Sequence, residues 1–93
     1  MSASIFSKTS VTSSTTEVFD NDNVGNKTLI LENGAASIVW FAFDEAAVLA
    51  DGFSLAATGD AGSKVILYRP DGFPNVLNAI SASATGNVSY SLF

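Results

Sequence analysis

Ile38-Val39-Trp40-Phe41-Ala42-Phe43 is the stretch on which the reading of this chain turns. Successive side chains of a β-strand point to opposite faces of its sheet. Ile38, Trp40 and Ala42 therefore share one face, and Val39, Phe41 and Phe43 share the other. Both faces are apolar. A lone hairpin would leave one of them in water, so the strand must sit centrally or have one face covered by another element or another subunit. Ala36–Phe43 is read as the third and most apolar strand of a layered β domain.

Outward from it, punctuation and alternation supply the neighbours. Lys27–Glu32 sets Leu29 and Leu31 against Thr28 and Ile30, a second strand. Asn33-Gly34 follows it, the strongest short-range hairpin signal, and predicts a tight turn into the third strand. Before these, Thr15-Thr16-Glu17-Val18-Phe19 reads as a strand and Asp20–Asn26 as a turn, because Asx side chains and Gly accept turn conformations. After them, Asp44–Asp51 carries helix signals for one or two turns: Asp44 as cap, Glu45 in the first turn and Gly52 as terminator. Phe53–Ala56 reads as a short strand. Ser63–Arg69 is a clear one, with Val65 and Leu67 alternating against Lys64, Ile66 and Tyr68. Pro70 and Pro74 interrupt pairing. Val76–Ser81 and Asn87–Phe93 then read as a last pair around Ala84-Thr85-Gly86.

About seven or eight short strands with turn signals every 8–12 residues or so predict an all-β fold, a small antiparallel β-sandwich or barrel. Residues 16–93 form the single β domain. Residues 1–15 are set apart as an extended Ser/Thr-rich arm: Ser2–Thr16 is dominated by Ser and Thr, with Ile5, Phe6 and Val11 its only large apolar side chains. Such a segment is either a disordered leader or an extended arm whose backbone is completed by another sheet. The arm is the expectation carried forward.

Composition sets limits on function. The chain has 93 residues, no His, no Cys and a formal net charge of −5. Ser–His and thiolate chemistry are thereby excluded, as are disulfides and Cys-based metal sites. Asp44 with Glu45, or Asp20 with Asp22, are the carboxylates that could pair, but both pairs fall in expected turns or ends, without the apolar surroundings that raise one pKa. No catalytic residue and no cofactor is expected. Lys8, Lys27, Lys64 and Arg69 are scattered, which argues against nucleic acid. Met1–Ser10 shows no secretory signal pattern, and the longest apolar run is far short of the ~20 residues of a membrane-spanning helix. Asp20–Gly25 resembles the start of a calcium loop, but Val24 stands at its fifth position and Leu31 at its twelfth, so it is read as a turn.

With 47% hydrophobic and only 14% charged residues, the chain is expected to place apolar surface against other polypeptides. The expected contact residues are Ile5, Phe6, Val11, Trp40, Tyr90 and Phe93. Trp40 or Tyr68 could instead offer a stacking platform in a carbohydrate- or receptor-binding module, and a subunit that polymerises with itself into a tube or fibre is a third reading.

The run from Leu29 to Tyr90 resembles small virion proteins of tailed bacteriophages. The matching text is Ile38–Ala47, which holds a strand of the type V-W-F-A-F and an acidic start to a small-residue loop. Asp51-Gly52-Phe53-Ser54-Leu55, Asn78-Ala79-Ile80-Ser81-Ala82 and Asn87-Val88-Ser89-Tyr90 continue it. The resemblance covers about two thirds of the chain and leaves out the first nineteen residues. It implies a β-sandwich decoration or cement protein on the capsid exterior. Its implied partner is the major capsid protein, copies of itself, or both. It transfers no catalytic residue.

Overall fold

The structure, a computed structural model, describes residues 5–83 and 86–93. Its strands are β1 (Ile5–Val11), β2 (Thr16–Asp20), β3 (Thr28–Asn33), β4 (Val39–Phe43), β5 (Phe53–Leu55), β6 (Lys64–Tyr68), β7 (Val76–Ser81) and β8 (Gly86–Leu92). They form two antiparallel four-stranded sheets, ordered β1-β8-β3-β6 and β2-β7-β4-β5. The all-β sandwich expected from alternation is what forms.

Pairing follows one rule. β1 pairs with β8, β2 with β7, β3 with β6 and β4 with β5. The chain is thus doubled back on itself at the β4–β5 turn. The doubled ribbon then rolls up, so that β8 also meets β3 and β7 also meets β4. This strand order is that of an eight-stranded jelly roll.

The roll overturns two local expectations. Asn33-Gly34 does not make a hairpin: β3 and β4 lie in different sheets. Neither residue has the positive φ that a type I′ turn requires. Instead the Asn33 side chain is fully buried and bonds the loops on either side of it. Its amide donates to the carbonyls of Ser37 (2.8 Å) and Ala56 (2.9 Å), and its oxygen accepts from the Ala35 N–H (2.8 Å). β7 and β8 likewise belong to opposite sheets rather than forming a last pair. Ala84 and Thr85, from the turn expected between them, lie outside the described residues.

No helix forms over Asp44–Asp51. Asp44 and Ala50 have φ of 60° and 63°, left-handed values that interrupt a right-handed helix. The Asp44 carboxylate, expected to cap a helix, accepts instead from the Val76 N–H (2.9 Å) at the start of β7. The loop is anchored along the outer side of the second sheet. The Glu45 carbonyl accepts from the Asn78 side chain (2.7 Å), and the Ala47 N–H donates to Thr15 Oγ1 (2.9 Å).

The segment expected to be a free arm is extended, but it is paired within its own domain. Ile5–Val11 forms β1 along β8, with Ile5 opposite Leu92 and Val11 opposite Gly86. Val11 is 1% exposed, so burial in the core accounts for its place in the sequence. Residues 1–4 lie outside the described residues.

Between the sheets, Leu29, Leu31, Val88 and Leu92 meet Val39, Phe41, Leu77 and Ala79, all fully buried. The strand quoted at the outset is central in its sheet, and Phe41 and Val39 fill the core from it. Its other face, with Trp40, is half-buried. Phe73 enters the core from a loop, held by its N–H to the Asn26 carbonyl and by the Asn21 amide on its own carbonyl, both at 2.8 Å. Gly72 beside it has φ 84° and lies so close to the Val24 carbonyl that a Cβ would collide with it.

Replacing Asn33 with Ala removes a buried amide and leaves backbone groups of two loops unpaired. The expected loss is about 2–4 kcal/mol of folding free energy, read from the urea midpoint of the Asn33→Ala variant. An unchanged midpoint would contradict the structural role given to this residue.

Candidate interaction surface

Ile38 is exposed just before β4, and the other large exposed apolar side chains of the described residues lie on two parts of the fold. The first is the end of the roll where the β2–β3, β4–β5 and β6–β7 loops meet the C-terminus. These loops are tied together: Asn21 N–H donates to the Asn75 carbonyl (3.0 Å), and Lys27 N–H donates to the Phe93 carbonyl (2.7 Å). The β2–β3 turn is built on its own Asx side chains. Asn23 Oδ1 accepts from Gly25 N–H (2.9 Å) and Asn21 Oδ1 from Asn23 N–H (3.3 Å). These oxygens serve backbone amides of the turn. Val24, Val48, Leu49 and Phe93 are exposed on this group of segments.

Arg69, Asn75 and Asp44 lock the same loops. The Arg69 guanidinium lies 4.5 Å from the ring centre of Phe43 and 4.7 Å from that of Phe73. It donates to Asn75 Oδ1 (3.0 Å), and Asn75 Nδ2 donates to Asp44 Oδ2 (2.6 Å). The Val76 amide and the Asn75 side chain hold the Asp44 carboxyl below its ordinary pKa, and the charge of Arg69 acts in the same direction. This is a clamp between two loops.

The second place is β6, at the edge of its sheet. Ile66 and Tyr68 are 64% and 67% exposed, and they share the outer face with Lys64. Across β3, Ile30 stands opposite Ile66 and Glu32 opposite Lys64. A shallow depression of about 240 Å³ lies alongside, lined by Ile30, Glu32, Lys64 and residues 89–91 of β8.

The residues expected to make contacts are not brought together. Ile5 and Phe6 stand on β1 opposite Leu92 and Ser91, and their side chains lie outside the described residues. Val11 is in the core. Trp40 is half-buried on the outer side of the second sheet, opposite Ile80 and Ser54. Tyr90 points inward, its ring 5.1 Å from that of Phe19, and burial raises its pKa. Phe93 is exposed, at 42%, at the C-terminal end beside the β2–β3 loop. Sequence reasoning missed Val24, Val48, Leu49 and Ile66 as surface groups. For Ile66 a signal existed, since it shares its strand face with Lys64 and Tyr68.

Scanned against protein-family models, curated proteins and solved structures, the chain matches none of them.

Because its pKa is lowered in the folded state, the Asp44 carboxylate stabilises the fold above the ordinary carboxyl range, and this contribution disappears as pH falls through the lowered value. Asn tolerates the left-handed backbone at this position but carries no charge. Asp44→Asn should therefore lower the urea midpoint near neutral pH, and the gap from the unmodified chain should close as pH falls through the lowered pKa of Asp44. A gap that persists in acid would show that the charge is not what matters.

Proposed function

We propose that this protein is a virion structural subunit that decorates or cements the capsid of a tailed bacteriophage, binding on the exterior between major capsid protein subunits. The observation that carries the reading is the exposure of Val48 and Leu49 on the β4–β5 loop, which is fastened to the outer side of the second sheet through Thr15, Val76 and Asn78. Exposed apolar groups that cost solubility on a lone domain are accounted for when they seat on another protein. The resemblance of Leu29–Tyr90 to small phage virion proteins supplies the identity of the partner. The architecture agrees with it, since jelly rolls recur in viral shells, although a fold alone does not fix a function.

Cementing asks little of each contact. Many copies on symmetry-related sites convert modest single affinities into firm collective adhesion. No cofactor and no covalent step enter the reading.

The test is to mix purified protein with undecorated heads of the phage that encodes it and to image the particles. Ordered density at junctions between capsid subunits is expected. The double variant Val48→Asp/Leu49→Asp should lose that density while its far-UV circular dichroism stays unchanged. Bare junctions at saturating protein would overturn the proposal.

A further inference from the structure

The structure assigns a second role to β6: we infer that its free edge pairs antiparallel with the same edge of a second copy, around a two-fold axis through Ile66. The inference is independent of the particle reading, because it concerns the protein alone in solution.

The argument begins with the four sheet edges. Natural proteins shield edge strands with bulges, shortness or covering segments. β2 carries a bulge between Glu17 and Phe19, and β5 has only three residues. β1 keeps an unbroken register, but its described side chains from Ser7 to Ser10 are polar or charged. Among the described residues β6 has no bulge and no covering strand, and its edge carries exposed apolar side chains, Ile66 and Tyr68. It is five residues long, its register with β3 is unbroken, and among the described residues no other strand pairs with it. Lys64 is its only charged residue.

Which backbone groups face outward follows from the register. Asn33 N–H donates to the Ser63 carbonyl (2.8 Å), and Arg69 N–H donates to the Lys27 carbonyl (2.9 Å). Residues 63, 65, 67 and 69 therefore direct their backbone groups toward β3. In an antiparallel ladder the alternate residues, Lys64, Ile66 and Tyr68, direct theirs away from it.

A two-fold axis at Ile66 makes this outward set self-complementary, and the exposed Ile66 and Tyr68 beside it suit the same apolar edge of a second copy. A two-fold axis there sets Ile66 against Ile66 and Lys64 against Tyr68 of the other copy. Every outward N–H and C=O of the three residues then finds a partner. The next positions out are Gly62 and Pro70, which the same axis sets against each other. Pro70 has no N–H to give, and the Gly62 carbonyl already accepts from Ala56 N–H (3.2 Å). The ladder thus ends at the same register on both sides.

Side chains agree with the backbone. Lys64 meets a Tyr68 ring twice, a favourable cation–aromatic pairing, and no like charges face each other within the ladder. On the outer face the Ile66 pair joins the two Ile30 side chains into one apolar stripe. On the inner face Val65 and Leu67, only half-buried in one copy, gain cover.

Sedimentation equilibrium of the full chain should show a dimer. Ile66→Lys, which sets two ammonium groups on the axis, should weaken association by at least about tenfold with circular dichroism unchanged. Cross-linking tests the register, since the chain has no Cys of its own. In an antiparallel hydrogen-bonded pair the Cα atoms stand ~5.5 Å apart, within disulfide range, so Ile66→Cys should oxidise rapidly to a dimer. Lys64→Cys alone should not, because its two copies would be ~13 Å apart. An equal mixture of Lys64→Cys and Tyr68→Cys should cross-link. A monomer at the highest attainable concentration would overturn the inference. So would undiminished association in Ile66→Lys, or Ile66→Cys oxidising no faster than the exposed control Ser54→Cys.

Discussion

Both ends of the Asn33 side-chain amide are used inside the protein, and the destinations of those bonds decide how the chain is threaded. Its donors reach Ser37 in the β3–β4 loop and Ala56 just after β5, and its acceptor takes the Ala35 N–H. One residue therefore fixes the place where the chain leaves one sheet for the other. It also holds the return segment that leads to β6. A buried amide with partners for both its donors and its acceptor costs nothing in lost hydrogen bonds and tolerates few alternatives. The rolled topology needs such a point, because a direct hairpin at Asn33-Gly34 would have kept β3 and β4 in a single sheet.

Much of the fold is legible in the sequence, and its limits have a physical origin. Period-two alternation marks Ser63–Arg69 and Asn87–Phe93 as strands, and the two apolar faces of Ala36–Phe43 mark a strand that is central or covered, because alternation is a property of single segments. Pairing is different. Asn33-Gly34 carries a strong local turn signal that a distant contact, Asn33 to Ala56, overrides. The helix signals of Asp44–Asp51 fail for the same kind of reason: Asp44 finds a better acceptor role at Val76 than at a helix terminus. For β1 the composition showed that an extended chain suited it, but only the three-dimensional arrangement names β8 as its partner.

The surface was harder to read than the core. Tyr90 and Val11 look like candidates for contact in the sequence because they are apolar residues in polar surroundings, yet both turn inward. Ile66 lies in a strand whose two faces are both partly apolar. Such a strand fits a central position as well as an edge, and the position decides whether the side chain is core or surface. Val48 and Leu49 were assigned to a helix, where one of them would have packed inward. The backbone turns at Asp44 and Ala50 instead leave both exposed.

The doubled-back ribbon also bears on how the protein comes into being on the ribosome. β1 emerges before the other strands of the sandwich, and its partner β8 after all of them. β2 waits for β7 and β3 for β6, so only β4 and β5 can pair soon after they are made. Synthesis proceeds from N- to C-terminus, and closing such distant pairs carries a loop entropy that slows folding. The sandwich therefore cannot assemble piece by piece during translation. Its core closes only when β8 has left the exit tunnel, and until then the Ser- and Thr-rich composition around β1 keeps an unpartnered strand compatible with water.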